Sequence, residues 1–273
     1  MKSKYIIGII IALVVIAGAY MVFAPSHKEK IIIAGSTSVQ PVAEQLAEAY
    51  MKEHPNVNIT VQGGGSAVGI TSAKQGTAQI GTSSSSLSAS DAEGLNQTQI
   101  AKDGIVIVVN NANSLTQLNS SQVKSIFGGN VTDWSQIGGS SGSISVITRE
   151  DGSGTRDAFI SLIMGGKNGT NITKSAIVQT STEAIMQAVK GNPNAVGYMS
   201  LTSVTGDVKG LTIDGVAPSE QTVADGTYKV QRPFLFLVKG TPKGDVKDFI
   251  DWTMSSEGQA IVKKAGATPM VNP

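Results

Sequence analysis

The chain has 273 residues, 40% hydrophobic and 15% charged, with a net charge of +1. That is enough apolar material for two compact cores and too much for a disordered chain, while the near-neutral charge without a basic stripe argues against a nucleic-acid partner. There is no cysteine and there are two histidines, His27 and His54. Disulfides, thiolate metal sites and cysteine nucleophiles are therefore excluded, and a histidine-based catalytic or metal centre has almost nothing to be built from. Neither an enzymatic activity nor a cofactor is expected.

Lys2 and Lys4 precede an uncharged apolar stretch, Tyr5–Ala24, which His27, Lys28, Glu29 and Lys30 follow. About twenty apolar residues cross a bilayer as a helix, and lysines ahead of them favour a cytoplasmic N-terminus. A signal peptide cut near Ala17-Gly18-Ala19 is the competing reading. The apolar run continues past that point, which favours an uncleaved anchor. Either reading puts residues 30–273 outside the cytoplasm.

From there short apolar strands alternate with amphipathic helices, the pattern of an α/β protein. A strand over Lys30–Ala34 leads through Gly35-Ser36-Thr37-Ser38 to a helix opened by Pro41, with Val42, Leu46, Ala49 and Tyr50 at helical spacing. Val57–Gln62 alternates as a second strand, followed by Gly63-Gly64-Gly65-Ser66 and a short helix over Ala67–Gln75. Gln79–Gly81 predicts a brief strand ending in Thr82-Ser83-Ser84-Ser85-Ser86. The β-branched run Gly104–Asn110 predicts a central or crossover strand, and Asn119–Phe127 a helix. Ser143–Thr148 predicts a strand entering Arg149-Glu150-Asp151-Gly152-Ser153-Gly154-Thr155-Arg156, then a helix with Phe159, Leu162 and Ile163 on one face. Thr182 is placed to cap a helix over Glu183–Lys190. Val196–Met199 and Pro233–Lys239 read as strands, and two helices, about Val246–Met254 and Gly258–Ala265, close the chain. The two long apolar strands, one mid-chain and one late, suit a pair of crossovers between two lobes.

Four strand-to-helix turns are dense in glycine and hydroxyl groups: Gly35–Ser38, Gly63–Ser66, Gly81–Ser86 and Gly152–Thr155. Helix N-termini expose unsatisfied N–H groups and a partial positive charge, so they hold anions without a basic cluster. Hydroxyls add donors, and glycine lets the backbone approach. Any one such turn is ordinarily a helix cap; four of them beside Arg149 suggest a site for a tetrahedral oxyanion. Gly-Ser-Gly-Thr lacks the Gly-Lys-Ser/Thr ending of a nucleotide loop. Asp151 is positioned to orient Arg149, and Arg156 reads as structural.

Gly35–Pro41, Gly63–Ser66, Ile80–Ser84, Arg149–Phe159 and Val196–Leu201, in this order and spacing, resemble the phosphate-binding proteins of Pst-type ABC transporters. The resemblance implies the type II periplasmic-binding-protein fold, two α/β lobes joined by crossover strands with a ligand cleft between them. The chain would divide into an N-terminal segment 1–29, a discontinuous first lobe of 30–108 and 229–273, and a second lobe of 109–228. It implies a monomer that holds inorganic phosphate through Thr37, Ser38, Ser66, Ser84, Arg149, Ser153, Gly154 and Thr155, with Asp151 at the position that pairs with the arginine. Permease and ATPase subunits are the implied partners. Some members carry an aspartate where Ser84 falls, so selectivity by a carboxylate there is not expected. Sulfate, molybdate and tungstate remain alternative ligands.

Overall fold

The computed structural model describes residues 29–271; the expected anchor or signal, Tyr5–Ala24, lies outside them. The order of the main elements is β1 (Glu29–Gly35), α1 (Gln40–Glu53), β2 (Val57–Gly63), α2 (Ser66–Gln75), β3 (Ile80–Ser83), β4 (Leu95–Val109), α3 (Ser120–Phe127), β5 (Ser145–Arg149), α4 (Gly154–Phe159), β6 (Ile177–Gln179), α5 (Thr182–Lys190), β7 (Ala195–Ser200), β8 (Gln231–Lys239), α6 (Gly244–Thr253) and α7 (Ser256–Lys264). The strands form one path, β2-β1-β3-β8-β4-β7-β5-β6. Neighbours in β2-β1-β3 and β7-β5-β6 run parallel, as strands joined through helices do. The pairs around β4 and β8 run antiparallel.

β4 is the key to the architecture. Its first part, Leu95–Gly104, pairs with β8, and Ile105–Val109 pairs with β7. One strand therefore belongs to two half-sheets, each covered by its own helices. The first half packs Ile31, Leu46, Tyr50, Ile100, Phe234, Phe249 and their neighbours into one core. The second packs Ile105, Ile107, Phe127, Trp134, Phe159 and Tyr198 on one face and Val106, Val108, Ile185 and Met199 on the other. Core membership changes between Ala101 and Ile105 on the outward pass and between Val230 and Phe234 on the return. These are two lobes joined at two adjacent strands, as the sequence suggests. The polar half of β4, Leu95–Asp103, has no strong apolar signature and extends the predicted crossover strand towards the N-terminus.

Two local expectations change. Ser181, not Thr182, caps α5, its side chain accepting from the Ala184 N–H. Thr182 begins the helix and its hydroxyl is free for other partners. After Phe159 the backbone widens into a π-turn, Ile160–Met164, before Gly165. The extra residue per turn rotates Leu162 away from the face shared by Phe159 and Ile163, so Leu162 is exposed while the other two are buried.

Candidate anion site between the lobes

The expected turns converge. The N-terminus of α1 presents Ser36, Thr37 and Ser38; α2 opens at Ser66; β3 runs out into Ser84; α4 opens behind Ser153; and α5 opens at Thr182. Ser36, Ser38, Ser66, Ser84, Arg149, Ser153, Thr155 and Thr182 are all buried. Hydroxyls clustered away from water must find partners, and here they find each other. Within the first lobe, Ser36 Oγ donates to Ser84 Oγ (2.8 Å), and the Ser84 N–H donates to Ser66 Oγ (3.2 Å). Between lobes, Ser38 Oγ lies 2.9 Å from Thr155 Oγ1 and 3.1 Å from Thr182 Oγ1, and the Thr182 N–H donates to Thr37 Oγ1 (3.3 Å). The Ala67 N–H also crosses to the Gly152 carbonyl (3.0 Å).

The contact is close enough to make the residue at 154 matter to the hydroxyls opposite it. A Cβ built on Gly154 would fall 2.3 Å from Ser66 Oγ and 2.9 Å from Ser84 Oγ. A larger residue here would turn the Ser66 and Ser84 hydroxyls out of their present positions. Ser153 caps that turn through the Arg156 N–H (3.3 Å), which fixes the direction in which the Gly154 and Thr155 N–H groups point.

Arg149 ends β5 with its side chain buried. Its backbone N–H donates to the Tyr198 hydroxyl (3.3 Å), which also sits 2.8 Å from Thr148 Oγ1. Tyr198 is stacked on Phe159 at 4.1 Å, so a rigid aromatic floor supports the strand end. Burial raises the pKa of this hydroxyl, which therefore stays protonated and able to take part in both bonds. The guanidinium is oriented by Glu150, with Nε to Oε2 and Nη2 to Oε1 both at 2.8 Å, a bidentate fork. Nη1 points to Thr182 Oγ1 (3.5 Å). Asp151 does not orient Arg149. It leaves the strand end with its side chain 92% exposed and pairs with Arg156. The longer Glu150 reaches back along Arg149, whereas Asp151 lies on the outer side of the turn. Arg156 is tied to this outer pair, in keeping with a structural reading.

Three participants carry no mark in the serine- and glycine-rich motifs. Thr182 joins Thr37, Ser38 and Arg149. Arg232, at the start of β8, donates from Nη1 to Thr155 Oγ1 (2.6 Å) and to the Ser84 carbonyl (3.3 Å). Asp103, opposite it on β4, accepts from Arg232 Nε (3.0 Å) and from Ser200 Oγ (2.8 Å). Burial pushes the Asp103 carboxyl up and the Arg232 guanidinium down, and each partner's charge opposes the shift of the other. The sequence signal is a charge directly ahead of each apolar run, Asp103 before Gly104–Asn110 and Arg232 before Pro233–Lys239.

The arrangement is almost purely donating: helix N-termini, hydroxyls, and a guanidinium pinned by a carboxylate. It suits an acceptor-rich anion. Among the described residues there is no group of three or more His, Asp or Glu side chains placed to hold a metal.

The PBP superfamily domain matches residues 24–257. The phosphate-binding protein PstS of Bacillus subtilis is 31% identical over 245 residues, spanning 88% of this chain and 80% of that protein. A candidate phosphate ABC transporter substrate-binding protein from Clostridium perfringens, solved with bound phosphate, is 38% identical with a TM-score of 0.86, covering 89% of this chain and all of that one. An ABC-type phosphate transport receptor from Vibrio cholerae is 37% identical with a TM-score of 0.72, over 87% and 99% of the two chains. The chain belongs to the PBP superfamily and, within it, to the PstS family of phosphate-binding proteins.

Proposed function

We propose that this protein captures inorganic phosphate between its two lobes and delivers it to the permease of an ABC transporter, working outside the cytoplasm as a binding protein and not as an enzyme. The carrying observation is the buried donor cluster, in which hydroxyls and helix N-termini from both lobes meet beside Arg149. Thr37, Ser38, Ser66, Ser84, Arg149, Ser153, Gly154 and Thr155 are the ligating groups in this reading, Gly154 through its N–H. Glu150 replaces Asp151 as the group that aims the guanidinium. A divalent anion enclosed this way gains from charge-assisted bonds of roughly 1.5–3 kcal/mol each, and several short dipoles supplement the single arginine.

The expected division at 108/109 and 228/229 moves in this reading to residues 30–104 with 231–273, and 105–230, because Ile105–Val109, Tyr228 and Val230 pack in the second lobe's cores. Membership in a family of transport receptors supports the permease partner and the extracytoplasmic location.

A ligand that binds only the folded state raises stability by mass action, by about 2.7 kcal/mol at a hundredfold excess over Kd. The purified full chain should therefore melt several degrees higher in phosphate at that excess than in chloride of equal ionic strength. An unchanged melting temperature across millimolar phosphate would remove the proposal.

A further inference from the structure

Arg232 and Asp103 face each other across the β4–β8 ladder where the chain passes between lobes. Both are buried, with Arg232 at 4% and Asp103 at 1% exposure. Burying an ion pair at a crossover costs desolvation that the pair's own attraction only partly returns, so such a pair is weak evidence for stability alone. Its connections are more informative. Asp103 is held by Ser200 at the end of β7 in the second lobe. Arg232 reaches into the anion site, touching the Ser84 carbonyl of the first lobe and the Thr155 hydroxyl of the second. Nη2 lies 2.9 Å from Asp103 Oδ2 but off the N–H direction, and it is buried without a hydrogen-bond partner.

Guanidinium has donors and no acceptor. At 2.6 Å, Arg232 Nη1 must donate to Thr155 Oγ1, which leaves the threonine's own proton to point elsewhere, towards Ser38 Oγ at 2.9 Å or towards an anion oxygen. A threonine oxygen has two lone pairs; the bond from Arg232 occupies one of them, which limits where the proton and the remaining lone pair can point. The same Nη1 joins Thr155 of the second lobe to the Ser84 carbonyl of the first.

We infer that the Asp103–Arg232 pair is a positioning device for the anion site, in which Arg232 orients the Thr155 hydroxyl to give its proton to the anion and ties it to the Ser84 turn of the opposite lobe. The inference rests on the phosphate reading above and goes beyond it, since Arg232 ligates nothing itself and acts through Thr155.

A double-mutant cycle on phosphate affinity tests it. Using the purified full chain and calorimetric titration with inorganic phosphate, Arg232→Gln is expected to weaken binding at least tenfold, and Thr155→Val by a similar factor. The double variant should lose little more than either single change, because both act on the same Thr155 hydroxyl. Arg232→Lys should recover only part of the loss, since an ammonium does not span Asp103 and Thr155 together. If Arg232→Gln leaves Asp103 unpaired and the chain does not fold, Asp103→Asn combined with Arg232→Gln removes both charges and takes its place in the cycle. X-ray scattering of the same variants should show a smaller phosphate-dependent contraction than the parent. Full parental affinity in a folded Arg232 variant, or losses that multiply independently with Thr155→Val, would overturn the inference. A parent protein that ignores phosphate would instead overturn the phosphate reading, so the two failures are distinct.

Discussion

Replacing Arg149 with alanine is expected to raise the phosphate dissociation constant by about two orders of magnitude, the scale of losing a buried charge-assisted partner. Arg149 is held on three sides: by Tyr198 at its backbone, by the Glu150 fork, and by Thr182 at Nη1. An anion meeting this guanidinium incurs little extra ordering cost, because the side chain is already fixed. The substitution also leaves Glu150, partly buried beside Gly65, as an unpaired negative charge next to an anion site. Arg156→Ala is the control. Its guanidinium faces the exposed Asp151, and exposed pairs contribute about 0–1 kcal/mol, so affinity should change less than threefold. Isothermal titration of the two variants separates the cases. Equal losses would mean that the wrong arginine has been placed at the ligand.

Gly81→Ala should be strongly destabilising, costing about 3 kcal/mol and lowering Tm by about 6–12 °C. A Cβ at Gly81 would fall 2.2 Å from the Gly69 carbonyl oxygen and 2.9 Å from the Ala73 Cβ; one at Gly69 would fall 2.3 Å from the Thr82 carbonyl oxygen. The helix α2 and the strand β3 thus pack backbone against backbone, with no side chain able to yield. That contact sets the distance between Ser66, which opens α2, and Ser84, which follows β3. The same variant should therefore bind phosphate more weakly even at temperatures where it is fully folded. Scanning calorimetry showing a Tm within about 2 °C of the parent would mean the helix can move off the sheet at little cost.

Much of the fold is legible because strands and helices announce themselves by apolar period and by turn residues. Lys30–Ala34, Val57–Gln62 and Pro233–Lys239 all lie within observed strands. The N-terminal half of β4 escaped because its residues alternate weakly and its burial comes from neighbours distant in sequence. The site is legible as a set of turns and opaque as a set of contacts. A serine before a helix looks the same whether it caps its own helix, as Ser153 and Ser181 do, or bonds across the cleft, as Ser38 does. Glu150 and Asp151 are adjacent carboxylates, and which one turns back to Arg149 depends on where the strand ends. Arg232 lies 77 positions from Thr155 and reaches it only because β4 and β8 cross between lobes side by side.

The most direct test of the account is isothermal titration of the purified full chain with phosphate. One phosphate per chain, bound with a favourable enthalpy, is the predicted result. Saturating phosphate that produces no binding heat would contradict a closed phosphate clamp built from these hydroxyls and Arg149.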